Sequence, residues 1–300
     1  MRKAWWIVPM AIILGGGLGG GMAVRAHEQH GESVRRRSSW EALKQQIGKE
    51  VRHFPGEAGI WVEDLDTGWV TGHLSTKRFP AASVVKVPIL AACFQAAQDG
   101  DLRLDEKVVL RGADKVNGSG LLKTMPNGSG WTVERLIELM VTESDNTATN
   151  LLIRRIGFDA LNQSFQRMGL AHTRLSRKMM DFSRRKEGVE NYTSPQDISL
   201  TLKKLYRRQL VSREVSERCL ELLKRQKIND RIPAKLPAGT VVAHKTGLER
   251  GVCHDSGIVY TKEGDLLVCV FTKSRLKGSR KAKEFIARIA SHAHDYKTRL

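Results

Sequence analysis

The 300-residue chain is short of acid: 32 Asp and Glu stand against 50 Lys and Arg, a formal net charge of +18. That balance favours anionic surroundings such as nucleic acid, a membrane surface or acidic wall polymers. The motifs and aromatic-interleaved basic patches of nucleic-acid binders are missing, so nucleic acid is not an expected partner. The denser basic stretches, residues 35–37, 174–186 and 275–283, read as solvated faces, open to an anionic wall polymer or membrane surface. Cysteine is scarce as well. Cys93, Cys219, Cys253 and Cys269 form no C-x-x-C pair, which argues against a zinc ribbon or a thioredoxin-like site. Cys93 and Cys269 lie in apolar company and read as core packing; a disulfide is left open. No G-x-S-x-G turn is present, which disfavours serine hydrolases built on a Ser-His-Asp elbow. No internal repeat is visible.

Residues 1–26 read as an export signal or an N-terminal membrane anchor. Arg2 and Lys3 give a positive start, residues 4–24 are apolar and small, and Val24-Arg25-Ala26 offers small-x-small cleavage chemistry. The stretch is about long enough to span a bilayer, but its glycines and Pro9 make a poor spanning helix, so a signal peptide is favoured. Either way the remainder is expected outside the cytoplasmic membrane, extracellular or periplasmic. Residues 27–38 read as a polar linker and 39–300 as one catalytic domain.

Periodicity predicts helices over residues 39–53, with Ser39 as N-cap, and over 83–99, 132–142, 148–156, 158–168, 212–223 and 281–296, with another starting at Ser194. Strands are predicted over 58–64, 68–73, 240–244, 257–261 and 265–272. Strands at both ends with helices between imply an α/β (α+β) fold: an antiparallel sheet of about five strands built from both termini, flanked by helices, with an inserted all-helical lobe.

The chain is organised around Phe79-Pro80-Ala81-Ala82-Ser83-Val84-Val85-Lys86, a loop opening into an apolar helix. Ser83 and Lys86 are three residues apart and share one helix face. A helix N-terminus offers free N–H groups and partial positive charge, which depress the pKa of a nearby amine and hold an oxyanion. An unprotonated lysine there can take the proton of a serine hydroxyl. S-x-x-K alone carries little, since about one match arises by chance in such a chain. Two further matches, Ser183/Lys186 and Ser274/Lys277, lie in basic stretches with no apolar helix behind them.

Ser144-Asp145-Asn146 and Lys245-Thr246-Gly247 follow Ser83 and Lys86 in order. This set resembles that of class A β-lactamase-like serine hydrolases of the penicillin-recognising superfamily. The likeness runs from about Ser39 to the C-terminus and includes Leu139-Met140-Val141-Thr142-Glu143, Ala148-Thr149-Asn150-Leu151-Leu152 and Leu236-Pro237-Ala238-Gly239. The resemblance implies that Ser83 is the acylated nucleophile and Lys86 its base. Ser144 would relay a proton to the leaving nitrogen, and Asn146 would hold the substrate amide. Lys245 and Thr246 would meet the substrate carboxylate, and the N–H groups of Ser83 and Leu248 would form the oxyanion hole. Gly247 would keep the strand edge open, and Asp145 would cap nearby backbone. No cofactor or metal is implied; His244, His292 and His294 are poor ligand candidates. The substrate would be a β-lactam or a peptidoglycan stem peptide, and a monomer is expected.

One departure stands out. Class A β-lactamases carry a water-activating glutamate two residues past an arginine on the loop after the second motif. Aligning Thr173-Arg174-Leu175 and Thr193-Ser194-Pro195 with that loop places Arg177 at the arginine and Met179 at the glutamate; the first acid is Asp181. Either Asp181 substitutes and β-lactams are hydrolysed, or deacylation is slow and the chain acts as a DD-peptidase or related amidase or esterase on wall peptides. A non-catalytic β-lactam or wall-peptide binding module is a third reading, disfavoured by the complete motifs.

Overall fold

The structure, a computed structural model, describes residues 19–275 and 278–298. Helix α1 runs Gly19–His53. It begins well before Ser39, so the expected N-cap lies inside the helix and the expected linker, residues 27–38, is helical. No proline falls between residues 10 and 54 to stop it, and Pro55 follows its end. The export segment falls largely outside the described residues. Among the described helices, none is long and apolar enough to cross a membrane.

After α1 come β1 (Glu57–Asp64), β2 (Val70–His73), the short β3 (Phe79–Pro80) and α2 (Lys86–Gln98). A hairpin of β4 (Lys107–Val109) and β5 (Gly130–Thr132) leads to α3 (Val133–Thr142), α4 (Asn146–Ile156) and α5 (Phe158–Arg167). A long loop carrying α6 (Phe182–Lys186) reaches β6 (Tyr192–Thr193), then α7 (Pro195–Tyr206) and α8 (Arg213–Lys224). The chain closes with β7 (Val242–Glu249), β8 (Val252–Val259), β9 (Leu266–Lys273) and α9 (Arg280–Thr298).

The main sheet is antiparallel in the order β2-β1-β9-β8-β7, joining the first strands to the last as expected. Its centre, β9, reads Leu-Leu-Val-Cys-Val-Phe because both of its faces are covered. Leu266, Val268 and Val270 meet α1 and α9, where Trp40, Leu43, Ile47, Phe285 and Ile289 pack. Leu267, Cys269 and Phe271 face the helical lobe. That lobe is threaded by α2, whose residues from Lys86 to Phe94 are all buried, the condition of a helix that is apolar on every side. Thr132, Asp145, Ser194 and Ser212 cap α3, α4, α7 and α8 through their side-chain oxygens. The four cysteines are buried and free. Burial pushes the thiols of Cys93 and Cys269 up to about 12, which leaves them inert apolar packing.

Candidate active site

Ser83 sits in a 3-10 turn, Ala82–Val85, that runs directly into α2. The turn is entered through Ala82 at φ 43°, a left-handed conformation costing on the order of 1 kcal/mol or more for a residue with a side chain. Packing holds it there. A Cβ on Gly247 would stand 3.2 Å from Ala82 Cβ and 3.3 Å from Ser83 N and Val84 Cγ1. A side chain at Gly247 would therefore crowd the nucleophile turn, whose atoms would have to give by a few tenths of an ångström. Among the described residues no group hydrogen-bonds the Ser83 hydroxyl, which is half-buried.

Lys86 is wholly buried one turn on. Its Nζ donates to Ser144 O at 2.8 Å and to Asn146 Oδ1 at 2.9 Å, and more weakly to Ser144 Oγ at 3.3 Å. Burial pushes the amine down to about 7 against the opposing pull of the Asp145 and Glu249 carboxylates. A protonated amine has three N–H groups for these three contacts; the neutral form has two, which the two short contacts take up. From the other side, Lys245 Nζ donates to Ser144 Oγ at 3.0 Å and to Thr246 O at 3.1 Å. Burial first, and the nearby Lys86 charge second, hold Lys245 well below the usual lysine range. Ser144, at φ 53°, thus presents one hydroxyl to two buried amines.

Asp145 works on backbone, as its place suggested. It accepts from Ala148 N at 2.9 Å and from Leu122 N at 2.8 Å, fixing the start of α4 and the loop across from it. Asn146 Nδ2 donates to Asn117 O at 3.3 Å. Strand β7 is longer than predicted, so Lys245-Thr246-Gly247 lies within it and Leu248 remains on the strand. Because β7 is the edge of the sheet, alternate N–H groups along it lack a strand partner.

The loop over residues 174–191 is tied beneath Ser83. Ala81 N donates to Asn191 O at 2.8 Å, and Asn191 Oδ1 accepts from Ser176 N and Arg177 N at 2.7 and 2.9 Å. Asn150 holds Met179 by both backbone groups, at 2.7 Å to its N and 3.1 Å to its O. The Met179 side chain is buried in the core of the helical lobe. Met180 follows at φ 64°, with its Sδ 3.1 Å from where a Cβ on Gly118 would stand. Asp181 caps α6. Its Oδ1 accepts from Ser183 Oγ at 2.6 Å and Arg184 N at 3.2 Å, and these two bonds hold its carboxyl below the usual range. Among the described residues it makes no hydrogen bond to Ser83, Lys86 or Ser144.

The sequence did not single out Arg231. It is buried, with Nε 3.2 Å from Cys253 Sγ and Nη1 2.9 Å from Asp230 Oδ1, and its charge adds to the depression of Lys245. Nothing distinguished it among fifty basic residues. His244, beside Lys245, lies between Asp255 Oδ1 and Asn229 Oδ1, each at 2.9 Å, and His292 pairs with Glu50.

The model of the beta-lactamase enzyme family matches residues 42–297. The chain is 29% identical to beta-lactamase SME-1 of Serratia marcescens over 265 residues, 85% of this chain and 90% of that protein. A solved beta-lactamase from Sphaerobacter thermophilus superposes with a TM-score of 0.80 at 32% identity, covering 87% of this chain and 98% of that one. PBP-A does so with the same TM-score and identity, over 86% and 97% of the two chains. A leucine-to-glutamate mutant of PBP-A has been solved as an acyl-enzyme complex with penicillin G.

Proposed function

Because the chain belongs to the beta-lactamase enzyme family and is a serine hydrolase, we propose that it opens β-lactam rings by acylating Ser83 and clears the acyl-enzyme slowly. The observation that carries this reading is Lys86, a buried amine near neutrality held one turn from a free serine hydroxyl. Neutral Lys86 takes the proton of Ser83 as Oγ attacks the lactam carbonyl. The oxyanion is met by the N–H groups of Ser83 and Leu248. As the C–N bond breaks, Ser144 protonates the leaving nitrogen and is itself reprotonated from Lys86 or Lys245. Lys245 and Thr246 hold the substrate carboxylate, which favours the charged form of Lys245 while Lys86 stays neutral. Asn146 orients the acyl amide. Hydrolysis of the ester then needs a base for water. Met179 offers none, and the Asp181 carboxylate is committed to α6.

That same feature favours a second reading, a DD-peptidase or related amidase or esterase on peptidoglycan stems. PBP-A, 32% identical over 86% of this chain, supports it. Export through residues 1–26 belongs to both readings.

Intact-protein mass followed over time with a penicillin, with Ser83→Ala as control, separates them. A Ser83-dependent adduct that decays slowly while the drug is consumed supports the first reading. A persistent adduct shifts weight to the second. Absence of any adduct would overturn β-lactams as substrates.

A further inference from the structure

Two adjacent strands press on the turn that carries Ser83. Gly247 of β7 meets it by close approach, and its partner across the β7–β8 ladder is His254. His254 is wholly buried, with its ring stacked on Phe271 at a centroid distance of 4.3 Å and edge-on to Phe79 at 6.2 Å. Both ring nitrogens have a backbone partner. Nδ1 lies 3.1 Å from Thr272 N, on the neighbouring strand β9, and Nε2 lies 2.9 Å from Pro80 O, on the short strand that leads into the turn. A backbone N–H only donates and a carbonyl only accepts, so the partners fix the tautomer: Nδ1 accepts and Nε2–H donates. Burial pushes the pKa of the ring down to about 4, which keeps it neutral near neutral pH.

The Ser83 turn needs holding. Ala82 sits at φ 43°, a conformation that a residue with a side chain keeps only where its surroundings impose it. On one side Ala81 N donates to Asn191 O of the long loop. On the other, His254 reaches from the main sheet to Pro80, two residues before Ala82. The imidazole is itself firmly placed, because β8 pairs with a strand on either side and two aromatic rings flank it.

We propose that His254 is a positioning residue for the nucleophile: its Nε2–H bond to Pro80 ties the entry of the Ser83 turn to the sheet and so sets where Ser83 Oγ stands relative to Lys86 and the oxyanion N–H groups. This rests on the reading of Ser83 as the acylated nucleophile. Among the described residues His254 makes no hydrogen bond to Ser83, Lys86, Ser144 or Lys245, so it acts through the backbone and exchanges no proton with the reacting groups. Loss of the tie misplaces the attacking oxygen and leaves Lys245 and Thr246 free to hold the substrate carboxylate as before.

The two bonds of the ring can be broken one at a time in the full chain. His254→Gln keeps a donor at the place of Nε2 and loses the acceptor facing Thr272. His254→Asn keeps an acceptor at the place of Nδ1 and loses the donor to Pro80. Thermal melts are recorded first, and Ser83 acylation is then followed by intact mass with a penicillin and with a small acyl thioester. Each variant gives up one buried hydrogen bond, so a merely structural role predicts similar melts and similar rates. The positioning role predicts similar melts and unequal rates: His254→Asn slows acylation by about 10- to 100-fold at an unchanged half-saturating concentration, and His254→Gln stays within about threefold of wild type. Equal rates in the two folded variants overturn the proposal. If neither variant folds, nitrogen NMR of the wild-type imidazole decides: the Nε2–H tautomer upholds the tie to Pro80, and the Nδ1–H tautomer overturns it. If the penicillin fails to label wild-type Ser83 while the thioester succeeds, the β-lactam reading falls and the thioester rates judge His254. If neither labels Ser83, both fall.

Discussion

Around Lys86 the contacts are short, buried and mutually consistent: two carbonyl-type oxygens take its N–H groups, and a hydroxyl shared with Lys245 completes the shell. Across the groove, residue 179 shows the opposite economy. Its backbone is held as tightly, by Asn150, yet the side chain so carefully placed is a thioether packed into the lobe. The nearest acid along the loop, Asp181, serves a helix cap. On the proposed reading, the first region forms the ester, while the side chain held at residue 179 is one that cannot activate water. On that reading the two half-reactions rest on different elements of the fold.

The comparison breaks first if Lys86 is dispensable. Lys86→Met is expected to slow Ser83 acylation by about 1,000-fold, the range of a lost general base, measured by adduct formation in single turnover. A Lys86→Met variant that acylated at the wild-type rate would require another base. The next largest effect is on the other region. Met179→Glu is expected to speed decay of the adduct by about 10- to 100-fold without changing its formation, read in the same time course. The new carboxylate enters an apolar site, so a stability cost of about 1–3 kcal/mol should accompany it in thermal melts.

A pH profile sharpens the same contrast. In the proposed mechanism the active form of Lys86 is the neutral one, and burial pushes its pKa down to about 7. Acylation should rise about tenfold per pH unit below 7 and level off above it, because protonation removes the base. A flat profile from pH 5 to 8 would mean that Lys86 is not the titrating base. The smallest effect concerns the scaffold of the loop. Asn150→Leu leaves the buried N–H and C=O of Met179 without partners and should lower stability by about 1–3 kcal/mol in denaturant unfolding. Adduct formation should change much less than under Lys86→Met.

Much of the acylating region could be read from the chain. Ser83, Lys86, Ser144, Asn146 and Lys245 stand in motifs whose order suffices to find them, and the structure brings them together through hydrogen bonds or, for Ser83, through one helix turn. The sheet drawn from both termini was legible for a similar reason: β1 and β9 are apolar and bounded by turns. What stayed hidden depends on contacts distant in sequence. Gly247 looks open until Ala82 and Ser83 are placed against it. Arg231 resembles any other surface charge until the fold buries it, and Glu249 until the fold pairs it with Arg177. The early start of α1 was missed because Ser39 makes a plausible cap, although no proline between residues 10 and 39 interrupts a helix.

The position of β9 at the centre of the sheet has a consequence for how the chain comes to exist at all. It pairs with β1 along its whole length, Glu57 with Lys273 through Asp64 with Leu266. A chain leaving the ribosome has therefore made all of its helical lobe before β1 can meet its main partner. Loop closure over such a separation is slow, so the polypeptide spends its synthesis without a finished sheet. A late-closing chain of this kind stays threadable while it is being made, and its catalytic groove can form only after the last strands have emerged.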